Sequence, residues 1–186
     1  MKHDLAPYLE FFRQIGADEV EHTEKTYLAH AASVYRDLKS WSCDEEVCLA
    51  GLFHSIYGTE VFKRFALPVE RREDVRALIG ARAEQLAYWN SAMCRLSFDK
   101  AVERGEEPYS IVDRMTGGEF TPTPAEFDDL CRIHLCDWLE QVPRSREWNY
   151  RREAYRLLSE RLGGAAREAY ERVYSAETDD LRAAAG

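Results

Sequence analysis

The sequence predicts an all-α protein, a bundle of several helices in a single domain. Apolar residues recur at helical spacing through most of the 186 residues. Neither an internal repeat nor a low-complexity linker divides the chain. A chain of this length can bury about two-thirds of its unfolded surface in one hydrophobic core. We therefore expect one domain, residues 1–186.

Seven segments have the helical pattern. Gly16, Pro68 and the pair Gly163-Gly164 are the expected stops and interruptions between them. The residues from Asp179 onward are expected to fray. The predicted segments are, in order, Leu5 to Ile15, Thr26 to Leu38, Val47 to Tyr57, Val75 to Met93, the segment that begins after Thr123, Arg146 to Leu162, and Ala165 to Tyr174.

The helix after Thr123 has the clearest start in the sequence. Threonine is a good N-cap, Pro124 suits the first helical position, and the carboxylate of Glu126 follows three residues after the cap. We expect this helix to end before Pro143. Between residues 93 and 123 the helical pattern fails, and residues 109–114 and 119–121 are the candidate strands of one small β-hairpin.

Composition excludes several classes of partner. The chain has 25 Lys and Arg against 34 Asp and Glu, a net charge of −9, which argues against binding to nucleic acid. No stretch approaches the ~20 apolar residues that span a membrane, and the N-terminus lacks the apolar core of a signal peptide. The five cysteines are odd in number and form no C-x-x-C motif, which favours free thiols. We expect a cytoplasmic protein whose partner is a small molecule.

Two histidines and one aspartate stand out on apolar segments. His30 belongs to the apolar face of the second predicted helix, and His54 ends the apolar run 49–53. Each histidine alone is more typical of a hydrogen-bonded core residue than of a metal ligand. Asp137 lies within the apolar segment 133–139, where an ionised carboxylate needs a cation or several hydrogen bonds. His134 lies on roughly the same side of that helix.

Four segments resemble one known family in order and spacing. They are His22-Thr-Glu-Lys-Thr-Tyr-Leu-Ala-His30, the 24-residue step from His30 to His54, the helix from Arg72 to Leu86, and Ile133-His-Leu-Cys-Asp-Trp-Leu-Glu-Gln141. Together they resemble the HD hydrolase domain of RelA/SpoT-type alarmone enzymes. The resemblance implies an HD-domain-like multi-helix bundle whose core covers residues 20–142, followed by C-terminal helices at 144–175.

The resemblance implies a reduced metal site. Its metal ligands would be His30, His54 and Asp137. The family's fourth ligand, an aspartate, is replaced by Ser55, whose hydroxyl is a poor ligand for hard cations. Iron, zinc or manganese is the expected divalent metal.

The family's water-positioning groups are also replaced. A Glu-Asp pair that positions water in the family is replaced by Gly58-Thr59. Glu60 and His22 are then the candidate catalytic groups. His22 occupies the position of a nucleotide-contacting basic residue, and Gln141 replaces an asparagine of similar role. We therefore expect no (p)ppGpp hydrolysis by this chain.

The remaining site prediction is a substrate pocket. Trp138 replaces a family arginine, and its indole is expected to form a wall that covers an apolar or planar ligand. The predicted pocket residues are His22, Ser55, Tyr57, His134, Trp138 and Gln141.

Two functions remain open at this point. The first is a metal-dependent, hydrolase-like enzyme in which metal-activated water acts on a small molecule. The second is a non-catalytic sensor or interaction module, in which the same residues form a hydrogen-bonded polar core. The chain has no P-loop, dinucleotide-binding, zinc-protease or serine-hydrolase motif to support another class.

Overall fold

The prediction of an all-α fold is confirmed. The computed structural model describes residues 4–17, 20–22 and 24–184, without the side chains of residues 22 and 178–184. Within this part of the chain the α-helices are α1 (Ala6–Gln14), α2 (Tyr27–Ser40), α3 (Glu45–Leu52), α4 (Arg72–Ile79), α5 (Ala81–Ala92), α6 (Arg95–Arg104), α7 (Pro124–Ser145), α8 (Arg152–Leu162) and α9 (Gly164–Ala184). A short 3-10 helix, Val69–Arg71, precedes α4.

Two antiparallel pairs of very short strands accompany the helices. Strands β1 (Glu21–His22) and β2 (Lys25–Thr26) pair just before α2. Strands β3 (Ile111–Val112) and β4 (Glu119–Phe120) form the hairpin predicted around residues 109–121, with Ile111 opposite Phe120.

Helix α7 contributes to two hydrophobic clusters. The first cluster gathers apolar side chains of α1 to α5 and includes Ile133 and Cys136 of α7. The second gathers side chains of α6, α8 and α9 and includes Phe127 and Leu130 of α7. Asp137 lies between Cys136 of the first cluster and Trp138 of the second, so its position on α7 is flanked by both clusters.

The predicted start of α7 is confirmed, but its predicted end is wrong. The Thr123 hydroxyl accepts a hydrogen bond from the Glu126 amide, and the Glu126 carboxylate accepts one from the Thr123 amide. The helix passes Pro143 and ends at Ser145, because Arg146 adopts a left-handed conformation with φ of 55°. Proline removes only one intrahelical N–H donor, and here it does so in the last turn.

Other boundaries also differ from the sequence predictions. Helix α6 was not expected, because its buried stripe consists of only Phe98, Ala101 and Val102. The predicted helix from Val75 to Met93 is two helices separated at Gly80, whose φ of 89° is left-handed. Helix α3 ends at Leu52, and a turn covers residues 53–57. Helix α8 begins at Arg152 rather than Arg146, and α9 continues to Ala184.

The helices of the described residues do not resemble membrane spans. None of them is both long enough and apolar enough to cross a bilayer.

Candidate metal site

Three buried side chains from separate parts of the fold meet at one point. His30 comes from α2, which the Thr26 hydroxyl caps by accepting a hydrogen bond from the Ala29 amide. His54 follows the end of α3, and Asp137 lies in the middle of α7. All three side chains are buried. The sequence therefore predicted correctly that these residues approach one another.

The three facing atoms form a compact triangle. His30 Nε2 lies 3.0 Å from Asp137 Oδ1, and His54 Nε2 lies 3.3 Å from the same oxygen. The two Nε2 atoms are 3.3 Å apart. Neighbouring ligand atoms of a tetrahedral site with bonds of about 2.1 Å are separated by about 3.4 Å. The triangle therefore has the dimensions of one face of a metal coordination shell.

The outer nitrogen of each histidine has a partner that determines where its proton lies. His54 Nδ1 is 2.7 Å from the Gly51 carbonyl oxygen, which can only accept a hydrogen bond. His30 Nδ1 is 2.5 Å from the Glu140 carboxylate. Neutral imidazoles with the proton on Nδ1 present a lone pair at Nε2. Three acceptor atoms then face one another, and they require a cation at their centre, either a metal ion or an additional proton.

The charges around the triangle keep Asp137 ionised. Burial alone would raise the pKa of Asp137, but its electrostatic and hydrogen-bond interactions with His54 and His30 hold it well below its ordinary value when a proton rather than a metal occupies the centre. For His30, burial lowers the pKa, but hydrogen bonds to Asp137 and Glu140 outweigh burial and raise it. Both directions indicate a centre that attracts a cation.

Glu140 supports His30 from outside the triangle, and the sequence analysis missed it. Its carboxylate accepts from Lys25 Nζ at 2.6 Å and from Arg144 Nη2 at 2.6 Å, in addition to His30. Burial opposes ionisation, but these partners lower the pKa of Glu140 to about 2. A possible signal in the sequence is its position one helical turn after Asp137.

Helix α5 fixes the backbone of His54. The His54 carbonyl oxygen accepts from Asn90 Nδ2 at 2.8 Å and from Ser91 Oγ at 3.1 Å. Both donors are buried, so the turn that follows α3 is held against α5. This turn is what directs the His54 ring toward α2 and α7.

A cavity of about 330 Å³ opens onto the triangle. Of the residues predicted for a pocket, Ser55 and Gln141 line this cavity together with His54 and Asp137. The Gln141 amide donates to Asp137 Oδ1 and, at 3.2 Å, to the Asp137 carbonyl oxygen. The other described lining residues are Glu21, Thr59, Val61, Phe62, Arg64 and Arg95.

Trp138 lies in a neighbouring cavity of about 400 Å³. This second cavity shares Val61, Arg95, Asp137 and Gln141 with the first. The Trp138 indole N–H donates to the Tyr174 hydroxyl at 3.0 Å, which fixes the orientation of the ring. Trp138 thus lines a cavity wall, but this cavity adjoins the one that opens onto the triangle.

Two predicted pocket residues lie away from both cavities. The Tyr57 hydroxyl donates to the buried Glu84 carboxylate at 3.0 Å, because the turn after α3 directs the ring toward α5. His134 Nε2 accepts a hydrogen bond from Arg151 at 2.9 Å, and its ring stacks on Tyr155. Burial and the charge of Arg151 lower the pKa of His134 well below its ordinary value.

Of the two candidate catalytic groups, only Glu60 has a described side chain, and it does not line the cavity at the triangle. Glu60 is exposed, and its carboxylate accepts from the Arg95 amide at 2.9 Å at the start of α6. The backbone of His22 lies in β1, but its side chain is outside the described residues. Glu21, beside it, does line the first cavity and pairs with Arg64 at 3.0 Å.

Arg95 and Glu21 are cavity residues that sequence reasoning missed. Arg95 lies in the region where no helix was expected, and Glu21 precedes the segment that resembles the family motif. A single charged residue outside a recognised motif gives no signal that distinguishes a cavity wall from a solvated surface.

Comparisons with known proteins give one family match. The family described as "Domain of unknown function (DUF6817)" matches residues 11–95, just under half of the chain. This range includes His30 and His54 but ends before Asp137. No curated protein and no solved structure matches the chain.

Proposed function

We propose that this protein is a divalent-metal enzyme of the HD-domain kind, in which His30, His54 and Asp137 hold the metal and activated water acts on a small anionic molecule. The observation that supports it most is the triangle of three acceptor atoms at 3.0 to 3.3 Å. Nitrogen and carboxylate donors of this kind suit zinc, iron or manganese. A metal in such a site supplies a Lewis acid and lowers the pKa of a bound water.

The arrangement of supporting residues favours the metal. Metal-binding histidines commonly donate their other N–H to a carboxylate or backbone carbonyl, and His30 and His54 do so to Glu140 and Gly51. The motif resemblance to HD hydrolases is a second, separate support. It assigns the ligand role to the same three residues on the basis of order and spacing alone.

The cavity residues suggest how a substrate is oriented. Arg95 places a cation on the wall that also includes Asp137, so an anionic group is attracted to the triangle. Gln141 fixes Asp137 through two hydrogen bonds from its amide. The hydroxyls of Ser55 and Thr59 supply neutral polar groups on the same wall. A small molecule suits this cavity, and an acidic chain of this kind is a poor partner for nucleic acid.

A non-catalytic sensor or interaction module is the second candidate, and one observation favours it. The His30 ring lies between two carboxylates, with Nε2 3.0 Å from Asp137 and Nδ1 2.5 Å from Glu140. A protonated His30 donates to both, and its Nε2 proton then occupies the centre in place of a metal. The polar core is satisfied by one proton in that state.

Metal analysis separates the two candidates. We would purify the full chain without chelator, add zinc, iron(II) or manganese in separate samples, remove free metal, and measure metal per chain. The enzyme proposal predicts one bound ion in the wild type and its loss in His54→Gln and Asp137→Asn. His134→Gln, which changes another buried histidine of the fold, should retain the ion. A wild type that binds none of the three metals would contradict the proposal.

A further inference from the structure

The second cavity has an aromatic wall that the proposed hydrolytic site does not use. Trp138, Tyr150 and Tyr155 line it. The Trp138 and Tyr155 rings stack 4.9 Å apart with an interplanar angle of 5°, and the Tyr150 ring lies 5.2 Å from Trp138. Tyr155 is buried and covers one face of Trp138, so the half-buried Tyr150 and the remaining accessible part of Trp138 form the rigid apolar surface that suits another flat ring.

Arg95 lies where the two cavities meet and lines both of them. Its guanidinium donates to the Tyr150 hydroxyl at 2.7 Å. Among the described residues no carboxylate forms an ion pair with it. Arg151 differs, because Asp99 accepts from both Nε and Nη2 of that side chain. The contrast identifies Arg95 as a cation available to an acidic ligand group.

The two cavities are connected through shared residues. Val61, Arg95, Asp137 and Gln141 line both of them. Val61 is 64% exposed, so it adds an apolar surface at the entrance. The Tyr150 hydroxyl accepts from Arg95 and therefore keeps its own proton for donation to a ligand. The exposed Glu147 also lines the second cavity, which disfavours a dianion extending to that rim.

We propose that the second cavity binds the planar aromatic part of a small anionic ligand whose acidic group, a carboxylate or a phosphate, lies at Arg95. This inference rests on the proposed function in one respect only, namely that a metal lies beside the acidic group. The aromatic wall recognises the ring, and Arg95 with Tyr150 recognises the acid. The ligand is thus longer than the group that reacts at the triangle.

Probe binding tests the inference on the full chain. We would measure calorimetric affinities for phenylphosphonate and benzoate, which have a ring and an acid, and for methylphosphonate and acetate, which lack the ring. Each is measured on chelator-treated and on zinc-loaded protein. The ring probes should bind at least about tenfold more tightly than their ringless partners in both states. The stronger of phenylphosphonate and benzoate identifies the acid.

Variants assign the two contacts. Arg95→Gln should weaken both ring probes by about tenfold, and Arg95→Lys, which keeps the charge but loses the planar fork, should also weaken them. Tyr150→Leu should reduce the preference for the ring, whereas Tyr150→Phe should retain it. The control Arg167→Gln, on the exposed face of α9, should leave affinities unchanged.

The outcomes separate this inference from the proposed function. Equal affinity of ring and ringless probes, or unchanged affinity in both Arg95 variants, would overturn the inference. If the protein binds no metal but the ring probes bind as expected, the proposed enzyme fails while the inference stands. If zinc binds at the triangle and the ring gives no gain, the inference fails alone.

Discussion

His30 Nδ1 lies 2.5 Å from Glu140 Oε2, so a carboxylate outside the metal triangle fixes one of its imidazoles. Lys25 and Arg144 bind the same carboxylate and keep it ionised. An ionised acceptor retains the proton on His30 Nδ1, so that Nε2 presents its lone pair to the centre of the triangle. Lys25 and Arg144 therefore influence His30 through Glu140, although neither side chain is part of the triangle.

Replacing Glu140 should weaken metal binding without removing a ligand. Glu140→Gln exchanges a charged acceptor for a neutral amide, and we expect zinc affinity to fall by about 10- to 100-fold. Competition with a chromophoric chelator at neutral pH measures this change. Glu171→Gln on α9 is the matched control, and it should not change the affinity. Equal zinc affinity in Glu140→Gln and the wild type would show that Glu140 does not orient His30.

Asp137 should be the most sensitive residue of the triangle for stability. Asp137→Ala leaves His30 and His54 facing each other without a counter-charge, and we expect a loss of about 3–5 kcal/mol in free energy of unfolding. Urea unfolding of chelator-treated protein measures it. Asp137→Asn should cost less than Asp137→Ala in chelated protein, and it should abolish the stabilisation that zinc gives the wild type.

The matched control for Asp137 is Asp129→Asn on the same helix. Asp129 pairs with Arg82 and Arg132 instead of the histidines. It should lower stability without changing the effect of zinc. Negligible effects of both Asp137 substitutions would contradict the burial argument.

The pair Tyr88 and Asp113 should give the protein a defined pH dependence. The Tyr88 hydroxyl donates to Asp113 Oδ2 at 2.8 Å and connects the β3–β4 loop to α5. Burial and this bond raise the pKa of Tyr88 to about 12, while hydrogen bonds from Tyr88 and two backbone amides overcome burial and lower the pKa of Asp113. The Asp113 contribution is present above its ordinary pKa and is lost as pH falls below it.

The tyrosine contributes in the opposite pH range. Its folded pKa is raised, so its stabilisation is complete below about pH 10 and is lost as pH rises toward 12. Tyr88→Phe should therefore lose the most free energy of unfolding, relative to the wild type, between these two pH ranges. The loss should become smaller at low pH, where Asp113 is protonated, and at high pH, where Tyr88 is ionised. Urea unfolding across pH measures this difference. A difference that does not vary with pH would rule out the bond as its source.

The triangle was predicted in two ways. The family resemblance joined His30, His54 and Asp137 as one set, and Asp137 was also visible from its residue type, because it is a carboxylate in an apolar helical segment. Glu140 was not, since its partner His30 is 110 residues away and the contact depends on how α2 and α7 pack. The polar face of a helix looks the same whether solvent or another helix covers it.

Differences between the predicted and the observed helix boundaries explain which site residues were placed wrongly or missed. Tyr57 was expected at the end of a helix and in the pocket, but α3 ends five residues earlier and the following turn directs the ring to Glu84. Helix α6 was not predicted, because three buried residues in a helix of ten residues give only a weak periodic signal. Arg95 begins α6, so the cation of both cavities was missed with it.

Ser55 offers a gain-of-function test of the triangle. It lines the first cavity with His54 and Asp137, and it is buried. Ser55→Asp adds a charged oxygen ligand, so manganese affinity should rise by at least about tenfold, roughly 1.4 kcal/mol. Manganese titration by calorimetry measures it. Ser175→Asp adds the same charge on the exposed face of α9 and should have no such effect. Unchanged manganese affinity in Ser55→Asp would show that residue 55 does not reach the metal.

In Ser55→Asp, a gain in manganese affinity should not bring a gain in hydrolysis, because the two depend on different residues. At the position of the family's Glu-Asp pair, Gly58 has no side chain and the Thr59 hydroxyl accepts from the Phe62 amide at 2.9 Å. Neither residue supplies a carboxylate to orient water toward a pyrophosphate. We therefore expect no hydrolysis of a guanosine 3′-pyrophosphate by the wild type or by Ser55→Asp, even with manganese in excess. Thin-layer analysis of labelled nucleotide tests this directly, and clear cleavage by the wild type would mean that another group, with Glu21 at the cavity wall as the first to examine, serves as the base.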